Sequence, residues 1–235
     1  VLAPHAAALS CIVVEPILQG AGGIQFYSPD FLKRLSAFAK MNQIDLIADE
    51  ILTGFGRTGP FFAIEHAKIA PDFICIGKGL TAGMLPMSAV LTTEDHYEAF
   101  YGPYHEGRAF LHSHTHSGNA LCAAVAREVM HVMADESIIS ASKALTPQLE
   151  QGMRQIANDT GMLDDVRALG GVVAATYVDQ RPRSGFELGH AAREYGVLLR
   201  PLGQVLYWMP PLNISSDEIS HLVEGTWAAI RSRQA

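Results

Sequence analysis

Short apolar runs alternate with helical periodicity through the first half of the chain. Cys11-Ile12-Val13-Val14 is a continuous, β-branched run, the pattern of a strand covered on both faces. Ser28 offers an N-cap with Pro29 at the first helical position. Phe31, Leu32, Leu35, Phe38 and Ala39 then recur at helical spacing, which predicts an amphipathic helix over residues 29–41. A strand over 44–48, a Gly-rich loop, a strand over 73–76 and a fourth strand, Met87-Ser88-Ala89-Val90-Leu91, are expected next. Gly118 to Ala134 reads as a helix whose small-residue face is Ala120, Ala123, Ala124 and Ala126. Alternating strands and helices of this kind predict an α/β fold, a mostly parallel sheet with flanking helices.

The second half has a different rhythm. Residues 137–157 are expected to be helical, carrying Leu145, Leu149, Met153 and Ile156. A strand follows at Val172 to Val178, then a helix from Phe186 to Tyr195 stopped by Gly196. Val197 to Arg200 and Val205 to Trp208 read as short strands. Ser215-Ser216-Asp217-Glu218 is a capping-box pattern that opens a last helix through Leu222, Val223 and Trp227. Residues 1–135 are therefore expected to be part of a larger domain, and 136–235 a smaller α+β domain.

Composition narrows the possibilities. At 235 residues, with 49% hydrophobic and 17% charged, the chain can bury a sizeable core. A net charge of −7 and the lack of any Lys/Arg run argue against a nucleic-acid partner. No run is long and apolar enough to span a bilayer. Cys11, Cys75 and Cys122 are few, far apart and set among apolar residues, so they read as reduced core thiols of a cytoplasmic protein. The chain starts with Val1 and runs almost directly into a strand, the expectation for a chain lacking an earlier part of its fold.

The candidate chemistry lies at strand ends. In open parallel sheets ligands bind outside the carboxyl ends of the strands. Glu15, Asp49 and Lys78 each follow or close a buried-looking run. A desolvated Lys can attack a carbonyl, and a carboxylate can partner a pyridine nitrogen; the alternative is two solvated charges. Gly54-Phe55-Gly56-Arg57-Thr58-Gly59 matches GxGxxG, but Pro60-Phe61-Phe62 follows instead of a helix and Asp72 precedes its strand. A tight loop beside a site is expected there, not a dinucleotide fold. His112, His114 and His116 would share a face on a strand and could hold zinc, but no partner stands at a ligand spacing, so no metal is expected. Thr115 and Ser117 precede a helix, where they could either receive a phosphate or simply cap it. Arg200, ahead of Pro201, could clamp a carboxylate or form a surface salt bridge.

In this order, several stretches resemble the class III aminotransferases of pyridoxal-phosphate fold type I. They are Val14-Glu15-Pro16, Gln19 to Gly23, Leu46 to Ile51, Gly54 to Gly59, Ala70-Pro71-Asp72 and Gly77-Lys78-Gly79-Leu80-Thr81. The resemblance covers nearly the whole chain. It implies that Lys78 holds pyridoxal 5′-phosphate through its amine, with Asp49 paired to the pyridine nitrogen and Ile51 packed on the ring. Thr115 would bind the cofactor phosphate of a partner subunit, which implies a homodimer with shared sites acting on small molecules. Arg200 would take the substrate carboxylate, with Tyr207 beside it and Glu15 as a gate. Three positions depart from the pattern: Ala120 stands where Pro usually follows Gly-Asn, His116 replaces an aromatic residue, and Leu52 is bulkier than the Ala of one branch. The family's N-terminal half, with its Gly-Ser phosphate loop and ring-stacking Tyr, has no counterpart in these residues.

Overall fold

The computed structural model describes residues 2–234. Along the chain run β1 (Cys11–Val14), β2 (Leu18–Gln19), β3 (Gln25–Phe26), α1 (Pro29–Met41), β4 (Asp45–Asp49), β5 (Phe73–Ile76), β6 (Ala89–Thr92), α2 (Glu94–Phe100) and α3 (Ala120–Asp135). Then come α4 (Ile138–Ser142), α5 (Leu145–Thr160), β7 (Leu163–Leu169), β8 (Val172–Tyr177), α6 (Ser184–Ala192), β9 (Val205–Trp208) and α7 (Ser216–Ser232). Two compact units result. Among the described residues, the first holds 2–17, 27–55 and 62–136, and the second holds 18–26, 56–61 and 137–234.

The first unit is built on a four-stranded sheet in the order β1-β4-β5-β6. β1, β4 and β5 are parallel neighbours, while β6 runs antiparallel to β5. The expected fourth strand exists but starts two residues later than Met87. Helix α1 begins as expected: the Ser28 hydroxyl accepts from the Phe31 N–H, and Pro29 opens the first turn. Leu35 and Ala39 of α1 pack with Ile44 and Leu46, against Ile12 and Val14. The alternating pleat sends Cys11 and Val13 to the opposite face. That face is open among the described residues, with Val13 64% and Val90 61% exposed, so β1 is not covered on both sides as its composition suggested. The cysteines are corrected likewise: all three are free, but only Cys122 is buried and Cys11 is exposed. The small-residue face of α3 is mostly outside the core. Cys122 and Ala126 are buried, whereas Ala120, Ala123 and Ala124 are exposed.

The second unit packs α5, α6 and α7 on the antiparallel sheet β7-β8-β9. Leu149, Met153 and Ile156 of α5 meet Val173, Ala175, Leu206 and Trp208 of the sheet, and Ile219 and Ile230 of α7 join the same core. The expected helix over 137–157 is two helices, broken at Lys143-Ala144. Strand β7 was not legible in the pattern, because Asp164, Asp165 and Arg167 interrupt it. The structure puts a bulge between Asp164 and Arg167, with Asp165 at φ +51°. The Arg167 guanidinium donates to the carbonyls of Ile24 and Gly23, at 2.8 and 2.9 Å, which holds the β2–β3 hairpin in this unit.

Val197 to Arg200 is not a strand. Val197 and Leu199 are buried and Leu198 is exposed, so the alternation is there, but the backbone lies along α6 instead of pairing in a sheet. A Cβ at Gly189 would stand 2.9 Å from the Leu199 carbonyl oxygen, and one at Gly185 would clash with that of Gly203. Two glycines one helical turn apart let this chain approach α6 closely, and the contact replaces sheet pairing. The capping box at Ser215 is present: its hydroxyl accepts from the Glu218 N–H while Glu218 accepts from the Ser215 N–H.

Candidate active site

Parallel pairing of β1, β4 and β5 puts their carboxyl ends on one edge of the first unit. Val14 pairs with Ala48, so Glu15 and Asp49 both stand one residue beyond that rung. Asp49 itself pairs with Cys75, and Lys78 follows three residues later. Three polar residues from adjacent strands thus share one edge, the usual ligand position in such sheets. The Asp49 carboxylate accepts from the Ile51 N–H at 3.1 Å, which steadies it at the strand end. Burial, and then the Asp49 charge, push the neighbouring Cys75 thiol up. Tyr27 donates its hydroxyl to the Glu15 carbonyl at 2.5 Å, and burial raises that phenol to about 12.

Lys78 opens a 3₁₀ turn, Lys78–Thr81, with φ +31°. Positive φ is unusual for a residue with a Cβ and marks stored backbone strain. Its surroundings force the turn. A Cβ on Gly79 would stand 2.8 Å from the Phe55 side chain, so only glycine passes there. Thr81 is buried and closes the turn by donating to the Leu85 carbonyl at 2.5 Å. The Ile51 side chain lies over the α-carbon of Gly77, where a Cβ would be 3.5 Å from Ile51 Cγ2. Lys78 is exposed and makes no ion pair among the described residues. Helix α3 packs against this turn.

Thr115 stands apart. It is exposed, in the turn at 115–118 ahead of α3, and makes no hydrogen bond to Asp49, Ile51 or Lys78 among the described residues. Neither it nor Ser117 caps α3. Asn119 does so, its Oδ1 accepting from the N–H groups of Leu121 and Cys122 at 2.9 and 3.3 Å, while the Ser117 hydroxyl accepts from the His114 N–H. His112 and His114 lie in irregular chain, not on a strand, and His116 is in the turn.

In the second unit Arg200 and Tyr207 line one cavity of about 500 Å³, with Leu199, Met209, Pro210 and His221. The pleat of β9 buries Leu206 and Trp208 in the core and turns Tyr207 to the other face. Arg200 makes no ion pair among the described residues, so its surface salt-bridge reading is not supported.

Two further residues escaped sequence reasoning. Glu50, next to Asp49, is wholly buried; its carboxylate accepts from the Ile64 N–H at 2.9 Å and from the Thr53 hydroxyl, tying down the loop that follows Asp49. Arg57 donates to the carbonyls of Gly171 and Pro210, at 3.1 and 2.7 Å. Burial lowers its guanidinium to about 10. It thereby braces the Pro210 wall of the Arg200 cavity. A charged residue inside a glycine-rich loop is the only signal either one left in the sequence.

The Glu50 environment has a testable consequence. Burial raises its carboxyl above the ordinary 4.5, although the Thr53 and Ile64 bonds act the other way. The unfolded chain therefore ionises first as pH climbs past 4.5, and folding stability from this group falls over that window. Glu50→Gln cannot ionise. Its stability relative to wild type is expected to improve as pH rises past 4.5 and to level off above the raised folded value. Urea midpoints across a pH series read this, and a pH-independent difference would refute the raised carboxyl.

The mostly parallel sheet with flanking helices and a polar edge at its strand ends defines an α/β protein of the ligand-binding type. The chain belongs to the class III aminotransferase family, whose model matches residues 3–230. It is 38% identical over 226 residues to the adenosylmethionine-8-amino-7-oxononanoate aminotransferase of Helicobacter pylori, covering 94% of this chain and 52% of that protein. The crystal structure of the enzyme of that name from Methanocaldococcus jannaschii superposes with a TM-score of 0.92 at 30% identity, over 98% of this chain and 56% of that one. An omega transaminase from Pseudomonas jessenii, solved in complex with PMP, gives a TM-score of 0.90 at 26% identity, over 98% of this chain and 52% of that one. The chain spans about half the length of the curated relatives it matches.

Proposed function

We propose that the protein is a pyridoxal-phosphate-dependent aminotransferase that moves the amino group of S-adenosylmethionine to 8-amino-7-oxononanoate, giving 7,8-diaminopelargonate for biotin synthesis. The observation that carries this is the meeting of Asp49, Ile51 and the strained Lys78 turn at the carboxyl edge of β4 and β5. Family membership and relatives that bear this enzyme's name support it.

The residues fit the cofactor. An anchored carboxylate, an amine without an ionic partner and an apolar side chain over Gly77 supply the three contacts a pyridinium aldehyde needs. When bound, pyridoxal phosphate supplies an electron sink for charge that develops on the substrate carbon. Lys78 would hold it through Nζ, and its amine would serve as the general base and acid. Asp49 keeps a proton on the ring nitrogen. Ile51 packs on the ring and excludes water from one face. Thr115 would serve the phosphate in a partner subunit, which makes the proposed working form a homodimer; the proposed location is the cytoplasm. Arg200 would take the carboxylate of the keto substrate, with Tyr207 beside it in the same cavity.

The donor assay tests the assignment. In the protein as encoded, diaminopelargonate is expected with S-adenosylmethionine and not with alanine or glutamate. The similarity to omega transaminases and the bulk of Leu52 favour one rival, a class III enzyme acting on ω-amino acids or acetylornithine. Product formed from alanine or glutamate instead would select it.

Arg200→Lys should raise the KM for the keto substrate more than tenfold while cofactor content stays unchanged. An ammonium cannot reproduce the planar two-point grip on a carboxylate, a loss of about 1.5–3 kcal/mol. An unchanged KM would remove Arg200 from the site.

A further inference from the structure

A second cluster of ligating side chains lies at the opposite edge of the same sheet. Asp45 is the first residue of β4 and Asp72 immediately precedes β5, whereas Asp49 and Lys78 stand at the other ends of these strands. A five-residue strand separates Asp45 from Asp49 by about 13 Å along its axis. His96 of α2 completes the group. Ligating atoms of Asp45, Asp72 and His96 all lie within 4.8 Å of one another, and all three residues are partly buried.

We propose that Asp45, Asp72 and His96 bind a divalent transition cation of the zinc type. Two carboxylates and one imidazole suit such an ion, whereas calcium and magnesium favour oxygen-only shells. The imidazole is already oriented. Its Nδ1 lies 2.8 Å from the Thr93 hydroxyl, its Nε2 lies 3.2 Å from Asp45 Oδ1, and its ring meets the Phe73 ring edge-on at 4.7 Å. When Nδ1–H donates to Thr93, the Nε2 lone pair points at a carboxylate oxygen. In that tautomer a cation held by both atoms relieves the repulsion, whereas in the other the Thr93 hydroxyl donates to Nδ1 and Nε2–H donates to Asp45. A hydrogen bond from the outer ring nitrogen to a fixed acceptor is the usual support of a metal-bound histidine. Asp72 is oriented too, accepting from the Leu46 N–H at 2.8 Å with lone pairs to spare. The Thr92 hydroxyl donates to the Asp72 carbonyl at 3.0 Å, so the turn into α2 is tied to the same point. The ion would pin α2 to the start of β4 and β5, a structural role away from the transamination edge.

The test uses untagged protein as encoded, stripped with chelator and titrated with Co²⁺ by visible absorption and with Zn²⁺ by calorimetry. One equivalent of each should bind. His96→Gln and Asp45→Asn should each weaken binding at least tenfold, and Thr93→Val tenfold or more through loss of ring orientation. Replacing His112, His114 and His116 together by Ala should leave this site's affinity intact. Circular dichroism and the thermal midpoint check folding, and the near-isosteric Asp45→Asn carries the test if His96→Gln does not fold. Three outcomes would overturn the proposal: no uptake, uptake unchanged by the Asp45 and His96 substitutions, or uptake lost only with the three loop histidines. In the first case Nε2–H donates to Asp45, and the cluster is a metal-free latch.

Discussion

Lys78→Ala is expected to leave a folded protein that no longer turns over. Removing the proton carrier alone should lower kcat by roughly 10³–10⁴-fold, and the covalent hold on the cofactor is lost with it. Wild-type protein loaded with pyridoxal phosphate and reduced with borohydride should carry the label on the peptide that contains Lys78, and the variant should not. A label at another lysine would end the assignment. The backbone adds a second readout that does not depend on activity. Lys78 sits at φ +31°, and a Cβ in left-handed conformation costs about 1–2 kcal/mol, offset in part by the greater chain entropy that glycine loses on folding. Lys78→Gly should therefore be more stable than Lys78→Ala by a few tenths to about 1 kcal/mol. If Ala is the more stable of the two, the strain at this turn is not real. If the order holds and neither variant turns over, the amine is kept at a cost in stability, as expected of a functional group.

Asp49→Asn should separate binding from chemistry. The amide matches the carboxylate in size and can still accept from the Ile51 N–H, so the strand end should keep its shape. What it loses is the negative charge proposed to hold a proton on the ring nitrogen. Where a bound ligand excludes water, a preorganised charge of this kind contributes several kcal/mol, and kcat should fall about 10²–10⁴-fold while the cofactor stays bound. Cofactor content from the absorbance of the protein, set beside single-turnover rates, measures the two effects apart. Near-normal turnover would return Asp49 to a solvated charge at a strand end.

Most of the first unit was legible in its sequence because buried strands and a capped helix leave strong local signals. β1, α1 and β5 fall where their patterns place them, and the α7 capping box is present. Local signals failed where a contact distant in sequence outweighed them. The alternation of Val197, Leu198 and Leu199 is that of a strand, yet Gly185 and Gly189 of α6 admit the backbone so closely that it packs on a helix instead. β7 carries three charged residues that mask it, and a bulge at Asp165 absorbs them. Glu50 looks like one more acid in a polar loop, but folding buries it completely around Thr53 and the Ile64 N–H.

The residue types proposed to carry the chemistry, and their places after apolar runs, were determined by the sequence alone: Glu15, Asp49 and Lys78 stand where strands end whatever the strands pair with. Only tertiary structure decided that these ends are neighbours. Strand order is a property of pairing, and parallel pairing of β1 with β4 and β4 with β5 places residues 34 and 29 positions apart on one edge. The same pairing brings Asp45 and Asp72 together at the other edge, and α2 delivers His96 to them from 51 residues beyond Asp45. No periodicity announces such a cluster. Its members lie at the start of β4, just before β5 and on α2, and hydrogen bonding between strands, which is blind to sequence distance, sets the spacing of the two aspartates.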